Sequence, residues 1–234
     1  MRQIVLDTET TGLDIADGHR IIEIGAVEIV NRRVSGRTLQ FYLNPDRDID
    51  QGALDVHGIT LESLRDKPRF AEVAEELLAF VRDGELIIHN APFDIGFLNY
   101  ELGLLGHAVS DISAICGVLD TLELARKLHP GQKNNLDALC RRYTIDNSQR
   151  QYHGALLDAE ILADVYLAMT GGQASLLLDA ATESGAGVAM QPVTRPQVPL
   201  RVVRATAAEL EAHAARLAAI DEASGGQCIW KPAQ

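Results

Sequence analysis

Two carboxylates, Asp7 and Glu9, stand two residues apart at the end of an apolar run that begins at Gln3. Because side chains alternate across a β-strand, both carboxylates emerge on the same face of a strand. Adjacent carboxylates cost free energy unless cations neutralise them, and Mg²⁺ and Mn²⁺ prefer oxygen ligands. The pair therefore indicates a divalent metal site. The alternative is that Asp7 and Thr8 simply cap the following turn.

Three further residues are candidates for the same site. Asp94 follows the apolar run at residues 86–88, and ligand sites form at the carboxyl ends of such strands in open α/β sheets. His153 and Asp158 flank the start of a helical pattern, so a loop and a first helical turn can face one cavity. Taken singly, Asp94 could be an acid favoured by a helix dipole, and His153 a surface histidine. The combination carries the prediction.

This combination resembles the motifs of the DEDD exonuclease superfamily, in its histidine-bearing branch. The matching segments are Asp7-Thr8-Glu9-Thr10-Thr11-Gly12-Leu13, His89-Asn90-Ala91-Pro92-Phe93-Asp94 and His153-Gly154-Ala155-Leu156-Leu157-Asp158-Ala159. The tyrosine-bearing branch would place its aromatic residue four positions before the last Asp, where this chain has Gly154. The resemblance implies a 3′→5′ exonuclease that releases nucleoside 5′-monophosphates.

The resemblance also implies the catalytic roles. Two divalent metal ions, Mg²⁺ or Mn²⁺, would be bound by four carboxylates, with Asp7 bridging them and His153 accepting a proton from the attacking water. The implied metal ligands are Asp7, Glu9, Asp94 and Asp158. We expect substitution of Asp7 or Asp158 to abolish activity.

A second set of residues is implied to contact the 3′-terminal nucleotide. Thr10, Gly12 and Leu13 match the family's backbone-and-wedge elements around the 3′ base. His57 matches a contact to the terminal nucleotide, although an ordinary turn histidine fits the sequence equally well. Relatives have a glutamate five positions before this histidine, where this chain has Gly52, so that contact is lost or made differently. The implied substrate-binding residues are Asp7, Glu9, Thr10, Gly12, Leu13, His57 and Asp158.

The surrounding sequence predicts an α/β fold. Residues 3–6 are typical of a buried central strand, residues 20–30 and 34–43 of an antiparallel hairpin, and residues 86–88 of another buried strand. Helical patterns occur at residues 70–81, 93–102, 122–128, 136–143 and 155–169. A strand meander followed by alternating helices and strands indicates a mixed sheet covered by helices. Together with the resemblance, this predicts a ribonuclease-H-like sheet of five strands. We expect Asp120 to cap a helix.

Three parts are predicted along the chain: an exonuclease domain over residues 1–172, a flexible linker over 173–199 and a small partner-binding segment over 200–234. The linker contains Gly, Pro, Thr and Ser without periodicity. In the last part, residues 200–204 indicate a strand, and a capping box from Thr206 to Glu209 opens a helix with Leu210, Leu217 and Ile220 facing inward. A segment of about 35 residues rarely folds alone, so we expect it to need a partner.

The tail resembles the proofreading subunits of bacterial replicative DNA polymerases. That resemblance implies binding to the polymerase (alpha) subunit, with Trp230 as a candidate contact or, alternatively, packed within the tail. The segment Gln173-Ala174-Ser175-Leu176-Leu177-Leu178 resembles a sliding-clamp-binding peptide with Gln173, Leu176 and Leu178 as anchors, the alternative being an ordinary helix end. A small accessory subunit is another partner that the sequence leaves open.

Composition limits the setting in which the protein works. The chain has 234 residues, lacks an apolar run of about 18 residues, and has three scattered cysteines without a CxxC pair, which together predict a cytoplasmic protein. Its net charge of −12 argues against a tight grip on long duplex DNA. The chain would instead bind a short end, or be delivered by a partner. The alternatives are a freestanding DEDD exoribonuclease and a catalytically silent replisome scaffold.

Overall fold

Five strands form one mixed sheet in the computed structural model, which describes residues 1–150, 152–171, 204–226, 228 and 230. The strands are β1 (Arg2–Thr10), β2 (Ile21–Val30), β3 (Arg33–Tyr42), β4 (Glu85–Ile88) and β5 (Gly117–Asp120). Their order is β3-β2-β1-β4-β5; the first three are antiparallel, and β4 and β5 run parallel to β1. The predicted five-stranded mixed sheet is confirmed.

Helices cover both faces of this sheet. They are α1 (Gln51–His57), α2 (Leu61–Leu64), α3 (Phe70–Val81), α4 (Ala91–Leu104), α5 (Thr121–Leu128), α6 (Leu136–Tyr143) and α7 (Ala155–Thr170). Helices α3 and α6 have the predicted bounds. Asp120 caps α5, because its Oδ1 accepts a hydrogen bond from the Leu122 amide at 2.8 Å. No described helix combines the length and apolarity that crossing a membrane requires.

The two faces of β1 pack against different helices. Ile4 and Leu6 belong to the core that includes residues of α3 and α4, whereas Val5 belongs to the core that includes residues of α6 and α7. Because side chains alternate along a strand, Asp7 and Glu9 continue the face of Val5 toward α7. Thr8, between them, continues the opposite face toward α4. The strand thus distributes polar groups to both helices.

The start of α7 lies directly against the sheet at Gly25. This residue pairs with Asp7 across the sheet, and a Cβ atom added to it would lie 2.1 Å from the backbone nitrogen of Leu156. Glu23, two residues earlier on β2, accepts a hydrogen bond from the Ala155 amide at 3.1 Å. The absence of a side chain at Gly25 and the buried carboxylate of Glu23 therefore fix the first turn of α7 against β2, next to Asp7 of β1.

The chain divides into two units, Met1–Leu176 and Leu177–Gln234. In the second unit, α8 (Ala207–Ala223) begins at the predicted capping box of Thr206 and Glu209. The prediction that Leu210, Leu217 and Ile220 face inward is wrong for Leu210 and Ile220, which are 59% and 37% exposed. Leu217 is half-buried, and no α8 residue is fully buried. Residues 173–199, including Gln173, Leu176 and Leu178, and residues 200–203 of the predicted strand lie outside the described residues.

Candidate active site

Four acidic side chains meet beside the carboxyl-terminal half of β1. Asp7 and Glu9 come from β1, Asp94 from the first turn of α4, and Asp158 from the first turn of α7. Together with His153 they line a single cavity of about 150 Å³. Ligand atoms of Glu9, His153 and Asp158 lie within 4.8 Å of one another. The structure therefore brings together all five residues that the sequence singled out for chemistry.

Asp94 is positioned by a hydrogen bond from β1 and by the turn that precedes α4. Its Oδ1 accepts a hydrogen bond of 2.7 Å from Thr8 Oγ1 on β1. The preceding Asn90 has a left-handed backbone (φ 72°), which asparagine tolerates better than most residues, and its amide donates to Asp120 Oδ1 at 3.1 Å. The α4 helix thus begins at a turn that points its first acidic side chain toward β1.

The carboxylates are crowded enough to resist ionisation. Burial, followed by the charges of Asp158 and Glu23, raises the pKa of Glu9 to about 8. Burial also raises the pKa of Asp94 to about 7. The pKa of Asp7 lies well above its ordinary value because of burial and the neighbouring charges of Asp94 and Glu9. Such a cluster is stabilised by cations, and its oxygen donors suit hard divalent ions.

Arg150 supplies a cation to this cluster. Its Nε and Nη2 donate to the two oxygens of Asp158 at 2.5 and 2.7 Å, and its Nη1 donates to Asp137 at 2.8 Å. Its side chain is only 9% exposed. Sequence reasoning missed Arg150. The available clue was that no other Lys or Arg occurs between Arg142 and residue 170.

His153 lies at the open side of the carboxylate cavity, with its side chain 43% exposed. Its Nδ1 is 2.9 Å from Arg150 Nη2 and 3.4 Å from Asp158 Oδ2. Partial burial, and then the charge of Arg150, lower the pKa of His153 below its ordinary value. The ring is therefore neutral at pH 7, with its Nδ1 occupied as the acceptor of the Arg150 hydrogen bond. The His153 amide donates to the Val56 carbonyl at 3.1 Å, which ties this loop to α1.

A second cavity, of about 430 Å³, adjoins the carboxylates and is lined by Thr10, Gly12, Leu13, Gly52 and His57 among others. Of the residues that the sequence assigned to the terminal nucleotide, Asp7 and Asp158 line the carboxylate cavity instead, and the others line this one. His57 Nε2 is buried and has no hydrogen-bond partner among the described residues, so a ligand could satisfy it. A Cβ atom at Gly52 would meet no atom within 4 Å, so the space for a longer side chain is open.

We expect the metal-free protein to lose stability as pH rises from 5 to 8. The unfolded chain ionises Glu9 near 4.5, whereas the folded chain keeps the proton until about pH 8, so stability is present at low pH and is lost across this window. Thermal unfolding in EDTA should show a midpoint that falls by several degrees, and saturating Mn²⁺ should remove most of the fall.

Glu9→Gln should flatten this pH profile, whereas Glu160→Gln, which changes the charge at an exposed position of α7, should not. A wild-type midpoint that rises between pH 5 and 8 in EDTA would contradict the crowding of charges described above.

Comparison with known proteins agrees with this geometry. Residues 4–166 match the family model described as exonuclease. A solved structure of exonuclease X in complex with 5′ overhanging duplex DNA is 25% identical, with a TM-score of 0.56 over 72% of this chain and 91% of that one. A zinc-bound complex of E. coli exonuclease I with single-stranded DNA shares the fold at 20% identity, with a TM-score of 0.64 over 74% of this chain and 41% of that one. Fold and site together define an exonuclease.

More similar relatives identify the family of exonucleases to which the chain belongs. The DNA polymerase III subunit epsilon of Escherichia coli K12 is 54% identical over 98% of this chain and 97% of its own length. The subunit of the same name from Haemophilus influenzae is 50% identical over 98% of this chain and 94% of its own length. The chain belongs to the DNA polymerase III epsilon subunits, a family of exonucleases.

Proposed function

We propose that this protein removes nucleotides from DNA 3′ ends as the proofreading subunit of a bacterial replicative polymerase. It would hydrolyse the terminal phosphodiester and release nucleoside 5′-monophosphates. The observation that carries this proposal is the convergence of four carboxylates and a histidine beside a cavity of about 430 Å³. Relatives named DNA polymerase III subunit epsilon match the chain over nearly its whole length.

The carboxylates would hold two divalent ions, Mg²⁺ or Mn²⁺, through Asp7, Glu9, Asp94 and Asp158. When bound, such ions lower the pKa of an attacking water and stabilise the leaving oxygen. The four carboxylates repel one another when ionised, so bound cations would stabilise them. The raised pKa of Glu9, about 8, reflects this crowding together with burial. Arg150 already meets part of this demand at Asp158.

His153 is the group that would accept the proton of the attacking water. In the structure, Arg150 donates toward Nδ1 at 2.9 Å, which leaves the proton of a neutral ring on Nε2. While Arg150 stays in place, neither ring nitrogen is free to accept a proton. Once Arg150 withdraws, the ring proton can move to Nδ1, and Nε2 then becomes free to accept the proton of the water. The displacement of Arg150 from Asp158 is therefore part of the proposed catalytic cycle.

The second cavity would receive the 3′-terminal nucleoside. Leu13 is 84% exposed at this cavity, a position from which an apolar side chain can contact a base. Thr10 Oγ1 donates to the Gly12 carbonyl at 2.6 Å and so shapes the turn beneath it. His57 offers the buried Nε2 to the same ligand.

The C-terminal unit would bind the alpha subunit of DNA polymerase III. In support, α8 buries none of its residues, and Trp230 is 70% exposed. The segment 173–178, at the start of the proposed linker, would bind the sliding clamp. A small accessory subunit could bind the exonuclease domain. Such partners raise the local concentration of 3′ ends for a protein of net charge −12. Assembly with a replicative polymerase would place the protein in the cytoplasm.

The test compares cleavage of matched single-stranded DNA and RNA oligonucleotides, with and without EDTA, and identifies the released product. We expect metal-dependent release of nucleoside 5′-monophosphates, with DNA preferred. Deletion of residues 180–234 should leave cleavage of short oligonucleotides intact and abolish co-purification with the alpha subunit. Preferential cleavage of RNA, or unchanged co-purification of the truncated chain, would refute the proposal.

A further inference from the structure

A third cavity, of about 590 Å³, adjoins the carboxylate site. Its lining includes His89, Asn90, Arg126, Gln132, Lys133 and Asn135. His89 and Asn90 also line the carboxylate cavity. That cavity in turn shares Thr8, Glu9 and Phe93 with the 430 Å³ cavity. The three cavities therefore form a series with the carboxylates in the middle.

Basic and amide side chains dominate the lining of the third cavity. Arg126 and Lys133 are exposed, and neither makes an ion pair with any residue that the structure describes. None of the described side chains lining the cavity is acidic, although the chain has 33 acidic residues against 21 basic ones. The exposed amides of Gln132 and Asn135 add hydrogen-bond donors. This lining suits a polyanion.

The loop that carries Lys133 is held in place before any ligand binds. Asn134 Nδ2 donates to the carbonyls of His129 and Gln132 at 3.3 and 3.1 Å. Arg142 donates to Asn134 Oδ1 at 3.0 Å and to the Lys133 carbonyl at 2.8 Å. A preorganised loop loses less entropy when it binds a ligand.

We propose that the third cavity binds the phosphodiester backbone of the single strand that leads to the scissile bond. This inference rests on the proposed function. If the terminal nucleoside occupies the 430 Å³ cavity and the scissile phosphate lies at the carboxylates, the remaining strand must leave on another side. Arg126 and Lys133 would contact its phosphates, which orients a strand without reading its sequence.

The test uses the double variant Arg126→Gln/Lys133→Gln. Its matched control is Lys127→Gln/Arg141→Gln, which removes two exposed positive charges outside the cavity, one from α5 and one from α6. One substrate is decathymidylate. The other is the p-nitrophenyl ester of thymidine 5′-monophosphate, which has a terminal nucleotide and a leaving group but no upstream strand.

We expect kcat/KM of the double variant to fall about tenfold on decathymidylate and to stay within about twofold on the ester. The control should change neither. Binding of labelled decathymidylate, measured on an Asp158→Asn background, should weaken to the same degree. Its salt dependence should become shallower by about 0.7 for each lost phosphate contact.

Equal losses on the two substrates, equal losses in the control, or unchanged oligonucleotide binding would each overturn this site. A wild-type protein that cleaves neither substrate would instead refute the proposed function. The binding comparison would still decide between a strand-binding cavity and an unrelated surface.

Discussion

Asp7→Asn is expected to reduce hydrolysis of a DNA 3′ end by on the order of a thousandfold or more, because the proposed site loses its central anionic ligand. The variant should fold. Its thermal midpoint in EDTA should equal or exceed that of the wild type, since the substitution removes a crowded carboxylate whose pKa is raised by burial and by Asp94 and Glu9. Single-turnover cleavage and thermal unfolding measure the two effects.

Asp164→Asn is the matched control, because it makes the same chemical change at an exposed position on α7. It should leave both measurements unchanged. A well-folded Asp7→Asn protein with wild-type activity, after contaminating nucleases are excluded, would remove the assignment of this site.

The second large effect concerns Arg150. Arg150→Met should destabilise the metal-free protein by about 3 kcal/mol at pH 8, because it leaves the buried Asp158 without the cation that lies 2.5 Å away. With saturating Mn²⁺ the difference from wild type should shrink, since bound ions would supply the missing charge. By linkage, calorimetry should then show tighter Mn²⁺ binding to the variant.

Arg141→Met, an exposed substitution on α6, controls for the loss of a positive charge. If Arg150→Met lowers stability equally with and without Mn²⁺, then Arg150 serves only the packing of its loop. The proposed exchange between guanidinium and metal would be wrong.

Much of the fold follows from local sequence patterns. Helices α3 and α6 were predictable because their apolar residues recur at the helical period. The β2–β3 hairpin was predictable because the polar turn Asn31-Arg32-Arg33 separates its two segments. Helices α1 and α2 were not predicted, since seven and four residues are too short to show a helical period. Strand β5, also unpredicted as a segment, has four residues of which none is buried.

For the site, the sequence predicts which residues take part but not the contacts that orient them. The positions of the carboxylates follow from spacing combined with family resemblance, but the contacts that aim them do not. Thr8 and Asp94 are 86 residues apart, and Arg150 reaches Asp158 from a loop without periodicity. Such contacts depend on the assembled fold, and sequence patterns report chiefly on neighbours along the chain.

The contact at Gly25 bears on how accurately the carboxylates can be placed. Main chain lies against main chain there, with a space too small for even a methyl group. Backbone atoms cannot relax by changing rotamer, so the separation of β2 from α7 has little freedom to drift. Productive alignment of reacting groups tolerates errors of only about 0.5 Å. A residue that takes no part in the chemistry therefore sets the tolerance within which the chemistry must operate.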